Sequence, residues 1–325
     1  MTDIHRIQVD IPSIRDNKSG YDYLIKLVDR LLKNPPGLNY EFRFDHCTVL
    51  DQNAIAVLGG LGRRLCLHTR SSSLRRRLYN VFFTQDELVW FDEASMSDTL
   101  IADLTDIGFL PFSRGEGRRI SGVGYRSHLN FMEPSDIADY LNNDWLTEDL
   151  IRLAPEIREA VVSRIIEIFT NAYGHGVKED SPLKLGITSC GQYFQKDKKL
   201  KLTVVDFGGG IIKNVKQYLH SKVPGLSDAA AMQWALKPGN STKTDSLDEN
   251  MPRGLGFKLL RQFIYTNNGN LSVYSNTCHA SVDKSGFYKV TGIRPSFPGT
   301  IVTIEVNCDD AYYNHLRSNK KGKYF

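Results

Sequence analysis

Residues 161–176, VVSRIIEIFTNAYGHG, constrain this chain more than any other stretch. At about 100° per residue, Val161, Val162, Ile165, Ile168, Phe169, Ala172 and Tyr173 fall on one broad arc of a helix. Glu167, Asn171 and His175 step along the other side at i, i+4 and i+8. A carboxylate, an amide and an imidazole therefore line up beside an apolar floor that another part of the fold must cover. The same pattern also belongs to an amphipathic surface helix whose polar residues are merely solvated. The glycine-bearing stretches downstream weigh between the two.

A chain of 325 residues is long for one core, so two domains are expected. Hydrophobic residues at 41% and charged residues at 24% place it among ordinary globular proteins. A net charge of +4 is too small to argue for a nucleic-acid partner. The five cysteines, Cys47, Cys66, Cys190, Cys278 and Cys308, are scattered without a CxxC pair. Reduced thiols are expected, not a disulfide framework or a zinc site. No apolar run approaches the ~20 residues of a membrane span, and the opening MTDIHRIQVDIPS lacks the apolar core of a signal peptide. The expectation is a cytoplasmic protein without membrane contact.

Residues 7–11 alternate weakly and suggest a strand. Residues 21–33 have helical apolar spacing and end at Asn34-Pro35-Pro36-Gly37. Residues 40–44 are a short strand, followed by a loop that becomes a helix near Asn53, which is placed to cap it. Arg63, Arg64, Arg70, Arg75, Arg76 and Arg77 make the region 63–77 basic. The ordinary reading is a solvated face, the sharper one a phosphate-rich or acidic partner. No aromatic residues interleave, which disfavours nucleic acid. SRGEGRRISGVG, residues 113–124, reads as a linker or mobile loop and lacks the lysine-serine ending of a P-loop. Residues 130–149 have helical spacing, with Ile137, Tyr140, Leu141 and Trp145 on one side.

Two strands are expected next, at 183–189 and 200–205, with a polar turn over 191–199. The second runs into Asp206-Phe207-Gly208-Gly209-Gly210. An acidic residue at a strand end, followed by glycines, can accept a hydrogen bond from a ligand amino group while the backbone comes close. Helices at 215–219 and 228–236 precede Pro238-Gly239-Asn240-Ser241-Thr242-Lys243-Thr244 and an acidic stretch, 245–250, of low apolar content, expected to be mobile. Arg253-Gly254-Leu255-Gly256-Phe257-Lys258 then opens a helix to about Thr266, a place where free N–H groups meet an anion. Strands at 271–275, 286–291 and 300–306 complete the set.

The order ExxxNAxxHG, DxGxG, GNSTK, RGLGxxLL and a closing GT strand resembles the GHKL, or Bergerat-fold, ATPase and kinase superfamily over about 155–307. IIEIFTNAYGHG is most similar to the anti-sigma-factor serine kinases. The resemblance implies a C-terminal α/β sandwich, helices on a mixed, largely antiparallel sheet, that binds ATP and magnesium. It implies Asn171 as magnesium ligand, Glu167 as general base and Asp206 as adenine reader. Gly208 and Gly210 would let the base approach, and Gly254, Leu255 and Gly256 would form the phosphate loop. Thr300 would lie beside the adenine, with Ser241, Thr242, Lys243, Arg253 and Lys258 as lid residues and His175 at the phosphate or bracing the loop. Residues 7–112 resemble a STAS domain, a small α/β fold with a regulatory serine in a turn; here Asn53 stands at that position, without a hydroxyl. The expected organisation is a STAS-like regulatory domain over 1–112, a linker and connecting helix over 113–150, the ATP-binding domain over 151–310 and a basic tail over 311–325.

The function expected is ATP hydrolysis or phosphorylation of a protein serine or threonine. The alternative is an ATP-gated protein-interaction module with little or no turnover. A nucleic-acid-associated ATPase is a third, weaker reading prompted by the arginines. A protein partner or substrate is expected, and a homodimer is left open.

Overall fold

The computed structural model describes residues 6–70, 88–110, 124–128, 133–176, 186–237, 239–240 and 256–315. Arg75, Arg76 and Arg77, residues 113–123 of the expected linker, residues 130–132 of the expected connecting helix, residues 183–185 of the expected strand, the stretch 241–255 and the tail from 316 lie outside them.

Strands β1 (Arg6–Asp10), β2 (Asn39–Arg43) and β3 (Val89–Phe91) form a parallel sheet in that order. Parallel neighbours need a crossover, and helix α1 (Lys18–Leu32) supplies it between β1 and β2. The Asn17 side chain starts α1 by accepting the Gly20 N–H at 3.0 Å. Helix α2 (Gln52–Arg70) is apolar or small on every side, and residues 52–63 are all buried. Such a helix has to be covered from more than one direction. A Cβ on Gly62 would meet Phe91 and Val89 of β3, whereas Gly60 faces Phe207 and Thr188, which belong to a second sheet and its flanking turn. Helix α3 (Asp98–Asp106) follows, capped by the Ser97 hydroxyl.

The second sheet is antiparallel throughout. It contains β4 (Tyr125–His128), β6 (Ile187–Phe194), β7 (Lys199–Asp206), β8 (Asn270–Val282) and β9 (Tyr288–Asn307), in the spatial order β4-β6-β7-β9-β8. Helix α4 (Pro134–Tyr140) continues as a π-turn, Leu141–Trp145, and leads to β5 (Arg152–Leu153), which pairs with β10 (Tyr312–Tyr313). Ile137, Tyr140, Leu141 and Trp145 are all buried, as their spacing predicts. Helix α5 (Pro155–Gly176) covers one face of the second sheet together with α6 (Ile211–Leu219), α7 (Asp228–Leu236) and α8 (Gly256–Asn267). Val161, Ile165 and Phe169 of α5 share one core with Leu200, Leu202 and Val204 of β7 and with Leu260, Phe263 and Ile264 of α8.

The opposite face carries Lys201, Thr203 and Val205, and it is not solvated, because α1 and α2 lie on it. The Tyr21 and Thr303 hydroxyls are hydrogen-bonded at 2.6 Å, and Thr303 lies 2.9 Å from the Thr203 hydroxyl. The Gln52 N–H donates to the Gln192 side chain at 3.0 Å, and the Thr188 hydroxyl donates to the Ala56 carbonyl at 2.8 Å. The Lys201 ammonium sits 2.6 Å from Asp16 and 2.9 Å from Glu305. Burial works against this ammonium, but Asp16 and Glu305 outweigh it and hold its pKa above the ordinary lysine value. The molecule is thus of the mixed α/β class, with a parallel sheet, α1 and α2, an antiparallel sheet and a helical layer stacked in turn.

Several expectations are corrected. The turn expected over 191–199 is shorter, because β6 continues to Phe194 and pairs residue by residue with β7. The last strands are longer, forming one hairpin of β8 and β9 with a register shift between Ser275 and Cys278. Arg63 is not on a solvated face; it is 4% exposed in α2. Asn53 is not the cap of α2 but lies in its first turn, with its amide donating to the Arg15 carbonyl at 3.4 Å. Tyr125–His128, within the expected linker, is the edge strand beside β6. All five cysteines are free and buried. Among the described residues no helix is long and apolar enough to cross a membrane.

Candidate functional site

Strand β7 ends at Asp206, and Phe207, Gly208, Gly209 and Gly210 turn the chain into α6. Asp206 lies opposite Ile187 of β6 and Thr300 of β9, and it is 5% exposed. Its carboxylate accepts the Gly208 N–H at 2.9 Å. Burial drives this carboxyl up to about 7, while the Gly208 N–H and the Thr300 hydroxyl and N–H pull it down without overcoming burial. Two glycines make the turn feasible. Gly299 has φ of +105°, and a Cβ there would stand 2.1 Å from the Asp206 carbonyl oxygen. Gly210 has φ of +78°, and its Cβ would strike the Asn276 side chain.

Ser275 and Asn276, which the sequence reading missed, hold this turn from β8. The Ser275 hydroxyl accepts the Ile211 N–H at 2.8 Å and donates to the Gly299 carbonyl at 2.8 Å. Asn276 accepts the Ile212 and Lys213 N–H groups at 3.1 and 3.3 Å and donates to the Gly209 carbonyl at 3.1 Å. These amides of α6 are therefore engaged and do not offer an anion site. The one local signal for Asn276 is its residue type, since asparagine tolerates the left-handed backbone found there, φ +50°.

On α5, Glu167 is paired with Arg164, one turn earlier, at 3.2 Å. Asn171 is half-buried, and His175 lies in the last turn. The start of α5 is tied to β10, where the Ala154 N–H donates to the Tyr313 carbonyl at 2.9 Å. Toward its other end, Tyr173 lies within electrostatic reach of Arg63. Gly60, one turn before Arg63 in α2, faces Phe207. The Asn171 end of α5 and the Asp206 turn are thus at the same end of the sheet. Helix α8 has the matching direction. Its Asn267 donates to the Asn307 carbonyl at 2.9 Å, at the far end of β9, so Gly256 and the exposed Lys258 point back toward the Asp206 end.

Asp206, Gly208, Gly210 and Thr300 are thus in one constellation, with Glu167, Asn171, Gly256 and Lys258 on helices directed toward it. Ser241, Thr242, Lys243, Arg253, Gly254 and Leu255 lie outside the described residues. Among the described residues no group of three or more His, Cys, Asp or Glu side chains is arranged to hold a metal ion. Neither a scan against protein-family models nor a search of the curated proteins finds a match for this chain.

Proposed function

We propose that this chain is a regulatory protein that binds Mg-ATP through a GHKL-type domain and either hydrolyses it or phosphorylates a protein serine or threonine. The observation that carries this reading is Asp206, a buried carboxyl at a strand end beside a glycine turn. Beside the Gly208 N–H that it accepts, a carboxylate has lone pairs for a further donor, and the adenine amino group is a suitable one. Gly208 allows the base to come close, and Thr300 braces the carboxylate from β9. A single amide oxygen from Asn171 suits magnesium, which keeps water and phosphate oxygens as its other ligands. Bound magnesium would neutralise phosphate charge. Glu167 is the candidate to take a proton from water or from a protein hydroxyl, once it is released from Arg164. The N-terminal module is read as a STAS-like regulator, with the buried Asn53 in place of a modifiable hydroxyl.

The second reading, an ATP-gated interaction module with little turnover, is favoured by the Arg164–Glu167 ion pair, which occupies the carboxylate that turnover needs. ATP binding and turnover by the purified chain, beside Glu167→Ala and Asn171→Ala, separate these. Asn171→Ala is expected to weaken magnesium-dependent ATP binding. Glu167→Ala is expected to bind ATP and lose turnover. If neither change alters binding or turnover, the assignment is wrong. Labelled γ-phosphate followed onto protein distinguishes transfer from hydrolysis.

A further inference from the structure

Phe207 stands in the chain between Asp206 and Gly208, yet its ring belongs to the core of the N-terminal module. It is 6% exposed, with the Phe297 ring at 5.3 Å on one side. On another side lies Gly60 of α2. A Cβ on Gly60 would stand 2.6 Å from Phe207 Cε2 and 2.9 Å from Thr188 Oγ1. The next contacts fix the helix at the same distance from the sheet. Thr188 donates to the Ala56 carbonyl, one turn earlier, and a Cβ on Gly59 would stand 2.2 Å from the Tyr125 hydroxyl of β4. Helix α2 therefore lies on the second sheet at a separation where an added Cβ at Gly59 or Gly60 would force a shift, and one of the residues it touches is the one joining Asp206 to Gly208.

We propose that the N-terminal module regulates the nucleotide site through this contact, with Gly60 and Phe207 as positioning residues for the Asp206 carboxylate. The inference rests on the nucleotide reading of Asp206. Close-packed interiors do not absorb small shifts locally. A sub-ångström slide of α2 displaces the Phe207 ring, and with it the peptide groups that set Asp206 against the Gly208 N–H. Any event on the N-terminal module that moves α2 changes nucleotide affinity. By linkage, nucleotide binding changes the affinity of the module for whatever moves it.

The test is calorimetric titration of the full chain with Mg-ATP and with magnesium inosine triphosphate, which carries a carbonyl where adenine has its amino group. The proteins compared are wild type, Gly60→Ala, Phe207→Leu, the double variant and Asp206→Asn. Gly60→Ala is expected to weaken ATP binding by about fivefold or more and to lower the preference for ATP over the inosine nucleotide. The double variant, in which the smaller side chain makes room for the added methyl, is expected to recover most of both. Asp206→Asn is expected to lose the preference.

A folded Gly60→Ala protein with unchanged preference, beside an Asp206→Asn protein that has lost it, overturns the coupling and leaves the nucleotide site standing. An Asp206→Asn protein that binds both nucleotides as wild type does overturns the nucleotide reading itself. A merely structural contact lowers the melting temperature and leaves the preference where it was. Should Gly60→Ala fail to fold, Phe207→Leu alone decides, since it removes ring atoms without adding any. A lowered preference supports the proposal and an unchanged one overturns it.

Discussion

Asp206 is the residue where the balance of effects can be read as a pH dependence. Its carboxyl is ordinarily near 3.8 and is driven up to about 7 by burial. The sign follows: the stability it contributes is fully present below the ordinary value and is lost as pH rises through 7. Relative to wild type, Asp206→Asn should gain stability between pH 5 and pH 8, by roughly 2–4 kcal/mol at the upper end. Thermal melts across that range check it. For the ligand the direction reverses, because the ionised carboxylate is the better acceptor. ATP affinity of the wild type should rise about tenfold from pH 6 to pH 8 relative to the Asn variant. The strand end at Asp206 and the glycine turn after it were legible because a strand end followed by glycines is a local pattern. Ser275 and Asn276 were not, because they act on residues 63 to 67 positions away in sequence.

Among the elements, α2 separates what periodicity reveals from what it conceals. Its existence follows from a run of small and apolar residues. Its two-sided burial does not, because nothing local says which surface will arrive to cover it. Arg63 illustrates the loss, since a charged residue at that position reads as solvated and is in fact inside the protein. The β8 and β9 hairpin was underread for a related reason. Its Asn, Ser and Thr residues look like loop formers, and cross-strand pairing overrides that preference. The three glycines of α2 should behave differently on substitution. A Cβ on Gly62 meets Phe91 and Val89 at 3.5–3.6 Å, an ordinary contact. Gly62→Ala should therefore be neutral or stabilise by about 0.5–1 kcal/mol through helix propensity. Gly59→Ala should destabilise, because the Tyr125 hydroxyl occupies the space of the methyl. Melting temperatures of the two variants, measured side by side, give the comparison.

At the scale of the whole molecule, the five-stranded sheet has two covered faces, and the polar one is held by specific pairs. Lys201, Asp16 and Glu305 have side chains only 8–14% exposed. Removing the lysine leaves the buried Asp16 carboxylate without its cation, whereas Glu305 keeps Lys199 at 2.6 Å; breaking such a buried pair costs about 3–5 kcal/mol. Lys201→Ala should lower stability by that order in a denaturant titration. The N-terminal module shares one core with Val205, Phe207, Tyr274, Phe297 and Ile301 of the second half. The two halves should therefore unfold in one transition. Single-tryptophan proteins that keep Trp90, in β3, or Trp145, in the π-turn, should report the same midpoint. The coarse α/β class was legible from pattern. The shared core was not, because the face of β7 that carries Lys201 and Thr203 does not announce a cover.

The burial of α2 on both sides has a consequence for how the protein is made. Tyr21 of α1 and its partner Thr303 of β9 are 282 residues apart. At about 5–20 residues per second, the ribosome needs roughly 15–60 s to bring the second sheet to the first module. Once α2 is made, its β3 side can be covered by the first module, but the side that carries Gly59 and Gly60 waits for the second sheet. The early part of this molecule therefore has one face of α2 to bury only once translation delivers the second sheet.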